Sequence, residues 1–171
     1  MPHLALISVF CPDRTGLVAA ITGNLFDLGA DLGDTTFAVL GTGAEFTAVC
    51  EVPDTASFEE VESSLAGLEE LAQAKIGVTP FTLDAGHGAG GTITHRITVL
   101  GGDQPGLIAR LCEVFGDFKA NIVRLSAERM QDGNYAIRLS VAIPEDAAPA
   151  CLATVANTAE GLQLDCKVES S

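Results

Sequence analysis

The sequence predicts an α+β fold built from two consecutive βαββαβ units within 171 residues. The second half of the chain repeats the first, and each half alternates strand-like and helix-like stretches in the same order. A glycine-rich segment, residues 84–91, lies between the copies and has the composition of a flexible linker. We therefore expect a first domain at residues 1–83 and a second domain at residues 92–171.

The internal repeat is ungapped across the first strand, the turn that follows it and the first helix. Residues 7–19 align with residues 97–109, and the paired positions carry the same side chains or similar ones. The pairs include Ile7 and Ile97, Val9 and Val99, Asp13 and Asp103, Gly16 and Gly106, and Leu17 and Leu107. An unbroken register across three elements indicates a duplicated unit rather than chance similarity.

In the first copy, residues 4–10 predict a strand, and a helix with an apolar stripe follows. The stripe consists of Leu17, Ile21, Leu25 and Leu28. Two strands flank the Gly-Thr-Gly turn at residues 41–43. Ser57 and Glu60 have the spacing of a capping box that opens the second helix, and the last strand covers about residues 74–81.

The second copy shows the same order. Residues 95–100 predict a buried strand, and apolar side chains then recur at helical spacing. These are Leu107, Ile108, Leu111, Val114, Phe115 and Phe118. Residues 123–128 and 135–143 alternate as two strands, joined by the hairpin signal Asp-Gly at 132–133. A helix follows Pro149 and ends at Gly161, and a final strand contains the alternating residues Leu162, Leu164, Cys166 and Val168.

The βαββαβ order gives a four-stranded antiparallel sheet with both helices on one face, the ferredoxin-like arrangement. A single helical layer leaves the other face of each sheet uncovered. We therefore expect the copies to pair with each other or with a second chain, most simply as a homodimer.

The chain is acidic, with a formal net charge of −14 from nine basic and 23 acidic residues. A nucleic-acid-binding surface needs many Lys and Arg side chains to neutralise phosphates, so we expect no direct contact with DNA or RNA. No stretch has the length of a membrane span, and the N-terminus lacks the pattern of a signal peptide. We expect a cytoplasmic protein that does not bind membranes.

The ionisable and nucleophilic residues indicate neither a cofactor nor an active site. The five cysteines contain no Cys-x-x-Cys pair, which argues against a disulfide framework and a structural zinc site. His3 is terminal, His87 lies in the linker and His95 begins a strand, so no catalytic arrangement of His with Ser, Cys or Asp is indicated. We expect that the protein is not an enzyme.

One motif, Asp-x-x-Gly-Leu, occurs in the loop after the first strand of each copy, from Asp13 to Leu17 and from Asp103 to Leu107. This loop lacks the cysteine pair of a metal chaperone. The acidic charge and the polar central strands also exclude an RNA-recognition domain, which would need exposed aromatic residues and a basic surface.

The motif resembles the signature of the ACT domain, an Asp-Arg-x-Gly-Leu or Asp-x-Pro-Gly-Leu turn. In that family a small residue and Asn-Ile follow at the start of the second strand; here the stretches are Ala120-Asn121-Ile122 and the variant Ala30-Asp31-Leu32. Residues 12–22 and 40–47 further resemble free-standing tandem ACT proteins of the glycine cleavage system transcriptional repressor type. The resemblance implies a regulatory protein that binds a small amino acid such as glycine and modulates a DNA-binding regulator through protein contacts.

The resemblance and the chemistry of the motif together give a set of candidate ligand-binding residues. They are Asp103, Gln104, Gly106, Leu107, Asn121 and Ile122 in the second copy, and Asp13, Arg14, Gly16, Leu17 and Asp31 in the first. The helix N-terminus after the motif can accept a carboxylate, and Gly106 lets a ligand approach the backbone. The Asn121 amide can donate to a carboxylate, and Asp103 can accept from an ammonium group.

Each of these residues also has a purely structural interpretation. Asp13 and Asp103 could be helix N-caps, the two glycines could permit tight packing, and Asn121 could shape a turn. A protein-interaction or dimerisation module with no functional ligand site is therefore the alternative to a sensor.

The two copies differ at the Asn position of the motif. In the first copy Asp31 replaces Asn, and an ionised carboxylate would repel the carboxylate of a ligand. Arg14 could supply a compensating positive charge there. We expect the second copy to hold the better site.

Overall fold

The computed structural model describes residues 3–171. The chain divides into two compact units, one ending at Ala85 and the other beginning at Gly86. The elements of the first unit are β1 His3–Pro12, α1 Leu17–Asp27, β2 Asp31–Leu40, β3 Gly43–Val52, α2 Phe58–Ala66 and β4 Lys75–Pro80. Those of the second are β5 His95–Gly102, α3 Leu107–Asp117, β6 Asn121–Arg129, β7 Asn134–Ala142, α4 Ala148–Gly161 and β8 Asp165–Ser170.

Each unit contains one four-stranded sheet in which every neighbouring pair of strands is antiparallel. The strand orders are β2-β3-β1-β4 and β6-β7-β5-β8. The predicted α+β fold with two βαββαβ, ferredoxin-like units is therefore confirmed.

The core of the first unit lies between the helices and one face of the sheet. Alternate residues of β1 are buried because successive side chains in a strand point to opposite faces. α1 and α2 contribute their apolar stripes to the same cluster. The most buried members include Ile7, Ile21, Leu25, Phe46, Val61 and Leu65. Burying one such side chain contributes about 1.5–3 kcal/mol, so this layer is the main source of stability of the unit.

The second unit has an equivalent core. Alternate residues of β5 and β7 pack against the apolar stripes of α3 and α4. The predicted stripe of α3 is buried at Leu107, Leu111, Val114 and Phe115. Helical periodicity in the sequence therefore identified the face that packs on the sheet.

The helix starts follow two different rules. The predicted capping box of α2 is confirmed: the Ser57 side chain accepts from the Glu60 N–H at 3.2 Å, and Glu60 accepts from the Ser57 N–H at 2.7 Å. α1 and α3 instead begin after Gly16 and Gly106, whose φ angles are +89° and +75°, and no side chain caps them.

The last strand begins later than the alternation predicted. Leu162 and Leu164 lie in the turn between α4 and β8, not in the strand, and β8 begins at Asp165. Gln163 has a φ of +60° in this turn, and its N–H donates to the Glu160 carbonyl at 2.9 Å. Leu164 is buried all the same, so a capping turn that packs an apolar residue produced the same alternation as a strand.

The five cysteines are free thiols. Burial raises the pKa of all five, and that of Cys50 to about 11, with Asp31 and Glu51 adding to the effect at Cys50. No helix within residues 3–171 is long and apolar enough to cross a membrane.

Candidate functional site

The loop between β5 and α3 carries the second copy of the Asp-x-x-Gly-Leu motif. Gly106 ends this loop with a φ of +75°, a conformation that side chains with a Cβ rarely adopt. A methyl group added at Gly106 would have no heavy atom within 4 Å, and the same holds for Gly16 in the first copy. Tight packing is therefore not the reason for these glycines. The backbone conformation requires them, and the space in front of them is open.

An open cavity of about 290 Å³ lies at this loop in the second unit. It is formed by the loop, the first turn of α3 and the side chain of Tyr135 on β7. The first-turn N–H groups of a helix have no partner within the helix, and they lie at the positive end of its dipole. Such a surface favours an anionic group, for example the carboxylate of an amino acid.

Asp103 lines this cavity without capping α3, so the N-cap interpretation is wrong for this residue. Its carboxylate accepts a hydrogen bond from the Arg129 guanidinium at the end of β6. Arg129 is 70% exposed and Asp103 is 37% exposed, so the ion pair lies at the surface. The sequence did not single out Arg129, because only the pairing of β6 with β7 brings it next to the loop.

Gln104 and Leu107 mainly hold the loop in place. The Gln104 amide Nε2 donates to the Leu162 carbonyl at 2.7 Å and so connects the loop to the end of α4. The Leu107 side chain is 3% exposed and packs in the core, which leaves its backbone as the part that faces the cavity.

Asn121 and Gly106 do not lie at one site within the second unit. Gly102, just before the loop, pairs with Asn134, whereas Asn121 pairs with Ala142. These partners are the two ends of β7, which are about 26 Å apart at the usual rise per residue. One small ligand therefore cannot contact both residues within one copy, so the candidate residues of the second copy do not form a single site.

At its own end of the sheet, Asn121 Nδ2 donates to the Gly90 carbonyl at 2.6 Å. It thereby fastens the short 3-10 turn Ala89–Gly91, within the predicted linker, to β6. Ile122 is half-buried and packs against the second core. Ligand binding by Asn121 and Ile122 stays a prediction.

In the first unit, the loop before α1 makes different contacts. The Asp13 N–H donates to the Thr42 carbonyl at 2.9 Å, and Arg14 Nη1 donates to the Glu69 carbonyl at 3.2 Å. The Asp13 side chain does not cap α1, and Leu17 is buried in the core. The charge of Arg14 is thus directed at the 3-10 turn Glu69–Leu71.

Asp31 lies at the far end of the first sheet, directly opposite Glu51 on β3. The residues that line a cavity of about 300 Å³ there include Asp31, Asp34 and Glu51. Acidic side chains in a lining disfavour a ligand carboxylate, and the weaker site expected for the first copy stays a prediction.

Comparisons with known proteins agree with this architecture. The model of the ACT domain matches residues 3–79 and residues 95–150. An unknown protein from Galdieria sulphuraria has a similar crystal structure, with a TM-score of 0.77 and 19% identity over 100% of this chain and 99% of that one. A candidate glycine cleavage system transcriptional repressor has a TM-score of 0.70 and 14% identity over 100% of this chain and 98% of that one. At these identities the likeness shows the fold, and no curated protein matches the sequence.

Proposed function

Since the chain belongs to the ACT domain family, we propose that it is a regulatory protein, not an enzyme, and that it binds a small amino acid at the second unit. The proposed site is the cavity formed by the Asp103–Gly106 loop, the first turn of α3 and Tyr135. Its chemistry suits a zwitterion, because the helix N-terminus favours a carboxylate and Asp103 can accept from an ammonium group.

One observation carries this proposal. The motif glycine, Gly106, is held at a positive φ beside a cavity, and nothing in the structure occupies the space where its side chain would be. Gly16 has the same open space, so the distinguishing feature is the cavity beside Gly106 at the first turn of α3, where a ligand can dock on the backbone. A cavity of about 290 Å³ suits a compact ligand.

The finer part of the proposal concerns the signal and the partner. We propose glycine as the amino acid and a DNA-binding regulator as the protein partner, in the cytoplasm. The similarity in fold to a candidate glycine cleavage system transcriptional repressor supports glycine as the signal and a role in transcription. The net charge of −14 suits contact with a basic protein surface and disfavours direct contact with DNA. We also propose a homodimer, since each sheet has one face without a helical layer.

The test is a thermal-shift screen of the twenty amino acids. A ligand that binds only the folded state at about 100 times its Kd adds about 2.7 kcal/mol of stability, which raises the unfolding midpoint by several degrees. Gly106→Ala should remove the rise, because the added methyl group enters the cavity. Gly16→Ala is the matched control, because it introduces the same strain at the same helix position of the first unit.

A rise with one small amino acid that survives Gly16→Ala but not Gly106→Ala would support the proposal and identify the signal. A flat result across all twenty would favour the alternative, an interaction or dimerisation module with no functional ligand site. Sedimentation of the purified chain and a pull-down with and without the amino acid would then test the homodimer and the regulator.

A further inference from the structure

Asp103 lines the proposed cavity, and its carboxylate forms an ion pair with Arg129, which is not part of that lining. Arg129 is directly opposite Tyr135 across the β6–β7 pair, and Tyr135 lines the cavity. Tyr135 shares its sheet face with Ile137 and Leu139, which are buried under the helices. The strand register therefore places Arg129 on the helix-bearing face, at the end of the sheet where α3 begins.

We propose that Arg129 anchors the carboxylate of the bound amino acid, while Asp103 holds its ammonium group. This inference rests on the proposed function, to which it adds the residue that reads the ligand's negative charge. In the free protein the two side chains satisfy each other, and the zwitterion replaces that single ion pair with two.

The charges around the cavity favour a role for Arg129 in binding the carboxylate. Among the residues that line the cavity, Asp103 is the one with a charged side chain, so the lining supplies no cationic side chain to pair with the carboxylate of a zwitterion. The Arg129 guanidinium neutralises Asp103 and can form two parallel hydrogen bonds with a carboxylate. The N-terminal N–H groups of α3 add to the attraction for the same group.

The ion pair can open at little cost. Both side chains are partly exposed, and exposed ion pairs contribute little net stability because water solvates the separated charges well. When a zwitterion binds, the weak ion pair between Asp103 and Arg129 is therefore replaced by two ion pairs. One joins Arg129 to the ligand carboxylate, and the other joins the ligand ammonium to Asp103. A ligand with only one of these charges forms only one of the two new ion pairs.

The first unit lacks this arrangement. The cross-strand pair at the same position of β2 and β3 is Val39 with Ala44, in place of Arg129 with Tyr135. The loop carboxylate, Asp13, therefore has no cation at that strand position, and Arg14 contacts the Glu69 carbonyl instead. We expect one amino acid per chain, bound in the second unit.

The experiment is calorimetric titration of the full chain with glycine and with glycinamide, which keeps the amine but lacks the carboxylate. Arg129→Gln should weaken glycine binding about tenfold or more and change glycinamide binding little, since a charged hydrogen-bond pair is lost for glycine only. Asp103→Asn should weaken both. Arg129→Lys should bind glycine more tightly than Arg129→Gln and less tightly than the wild type. Lysine keeps the positive charge but lacks the planar guanidinium that forms two parallel hydrogen bonds.

Arg138→Gln is the matched control. Arg138 forms an ion pair with Glu128 and is 55% exposed, so this variant removes the same charge and a comparable contact on the next strand. It should bind glycine as the wild type does. Equal glycine affinity in Arg129→Gln and the wild type would overturn the role of Arg129 and leave the proposed function intact. Absence of binding of glycine to the wild type, as well as of every amino acid in the thermal screen, would overturn both.

Discussion

Asn121 donates a hydrogen bond from its side-chain amide to the backbone carbonyl of Gly90, at 2.6 Å. This contact joins the start of β6 to the 3-10 turn Ala89–Gly91 near the start of the second unit. It also directs the amide away from the Asp103–Gly106 loop, which lies at the opposite end of the sheet. Asn121 thus fastens the Ala89–Gly91 turn to β6, and its role in ligand binding stays a prediction.

Removing this fastener should loosen the turn without unfolding the unit. In Asn121→Ala we expect faster hydrogen exchange at the Gly91 amide, which donates to the Gly88 carbonyl at 2.8 Å within the fastened turn. The global free energy of unfolding should fall by about 1 kcal/mol or less, since a net hydrogen bond contributes about 0.5–1.5 kcal/mol. Exchange mass spectrometry checks this, with Ser126→Ala on the same strand as the control. An unchanged hydrogen-exchange rate at the Gly91 amide would show that the turn is stable without the Asn121 hydrogen bond.

Alanine substitutions at Gly16, which precedes α1, and at Gly23, which lies within it, should change the free energy of unfolding in opposite directions. Gly16→Ala should lower the free energy of unfolding by about 1–2 kcal/mol, because an L-residue is strained at a φ of +89°. Gly23→Ala should raise it by about 0.5–1 kcal/mol, because Gly23 lies within α1 and has nothing within 4 Å of an added methyl group. Urea denaturation of both variants checks the pair. Two changes of the same sign would contradict the backbone assignment at Gly16.

The capping box of α2 predicts a pH-dependent contribution from Glu60. The hydrogen bond from the Ser57 N–H lowers the pKa of the Glu60 carboxyl below its ordinary value of 4.5. A carboxyl whose pKa is lower in the folded state stabilises the fold above its unfolded pKa and loses that contribution as the pH falls through the folded pKa. The stability difference between wild type and Glu60→Gln should therefore be present at pH 6 and shrink as the pH falls below about 4.5.

Urea titrations at several pH values measure this difference. Glu59→Gln is the matched control, since Glu59 lies in the same first turn and takes no part in the box. A difference for Glu60→Gln that is constant from pH 6 to pH 3 would show that ionisation of Glu60 does not strengthen the cap.

The fold could be predicted because its information is local and is repeated. The stripes of α1 and α3, the alternation in β7 and the Asp-Gly turn each encode one element, and the second copy supports every assignment made in the first. The same local pattern misled at Leu162 and Leu164, where a capping turn with a positive φ at Gln163 buries an apolar residue without a strand.

The site could be predicted only in part. The motif located the loop, but its Asp, Gly and Asn have identical local signatures whether they meet or lie about 26 Å apart, as the strand length implies. Which end of β6 lies beside the loop follows from antiparallel pairing, a long-range property. When the pairing is followed from the hairpin turn, the residue of β6 beside the loop is Arg129, and Asn121 lies at the other end of the strand.

The most direct test of the central proposal, an amino-acid site in the second unit, is a two-dimensional amide NMR titration of the ¹⁵N-labelled chain with glycine. We expect progressive, saturable shifts at the amides of residues 103–109 and of Tyr135, with residues 13–19 unmoved. The same titration on Arg129→Gln should need a higher glycine concentration to reach the same shifts. Saturable shifts confined to residues 13–19, or no shifts at any glycine concentration, would contradict the proposed site.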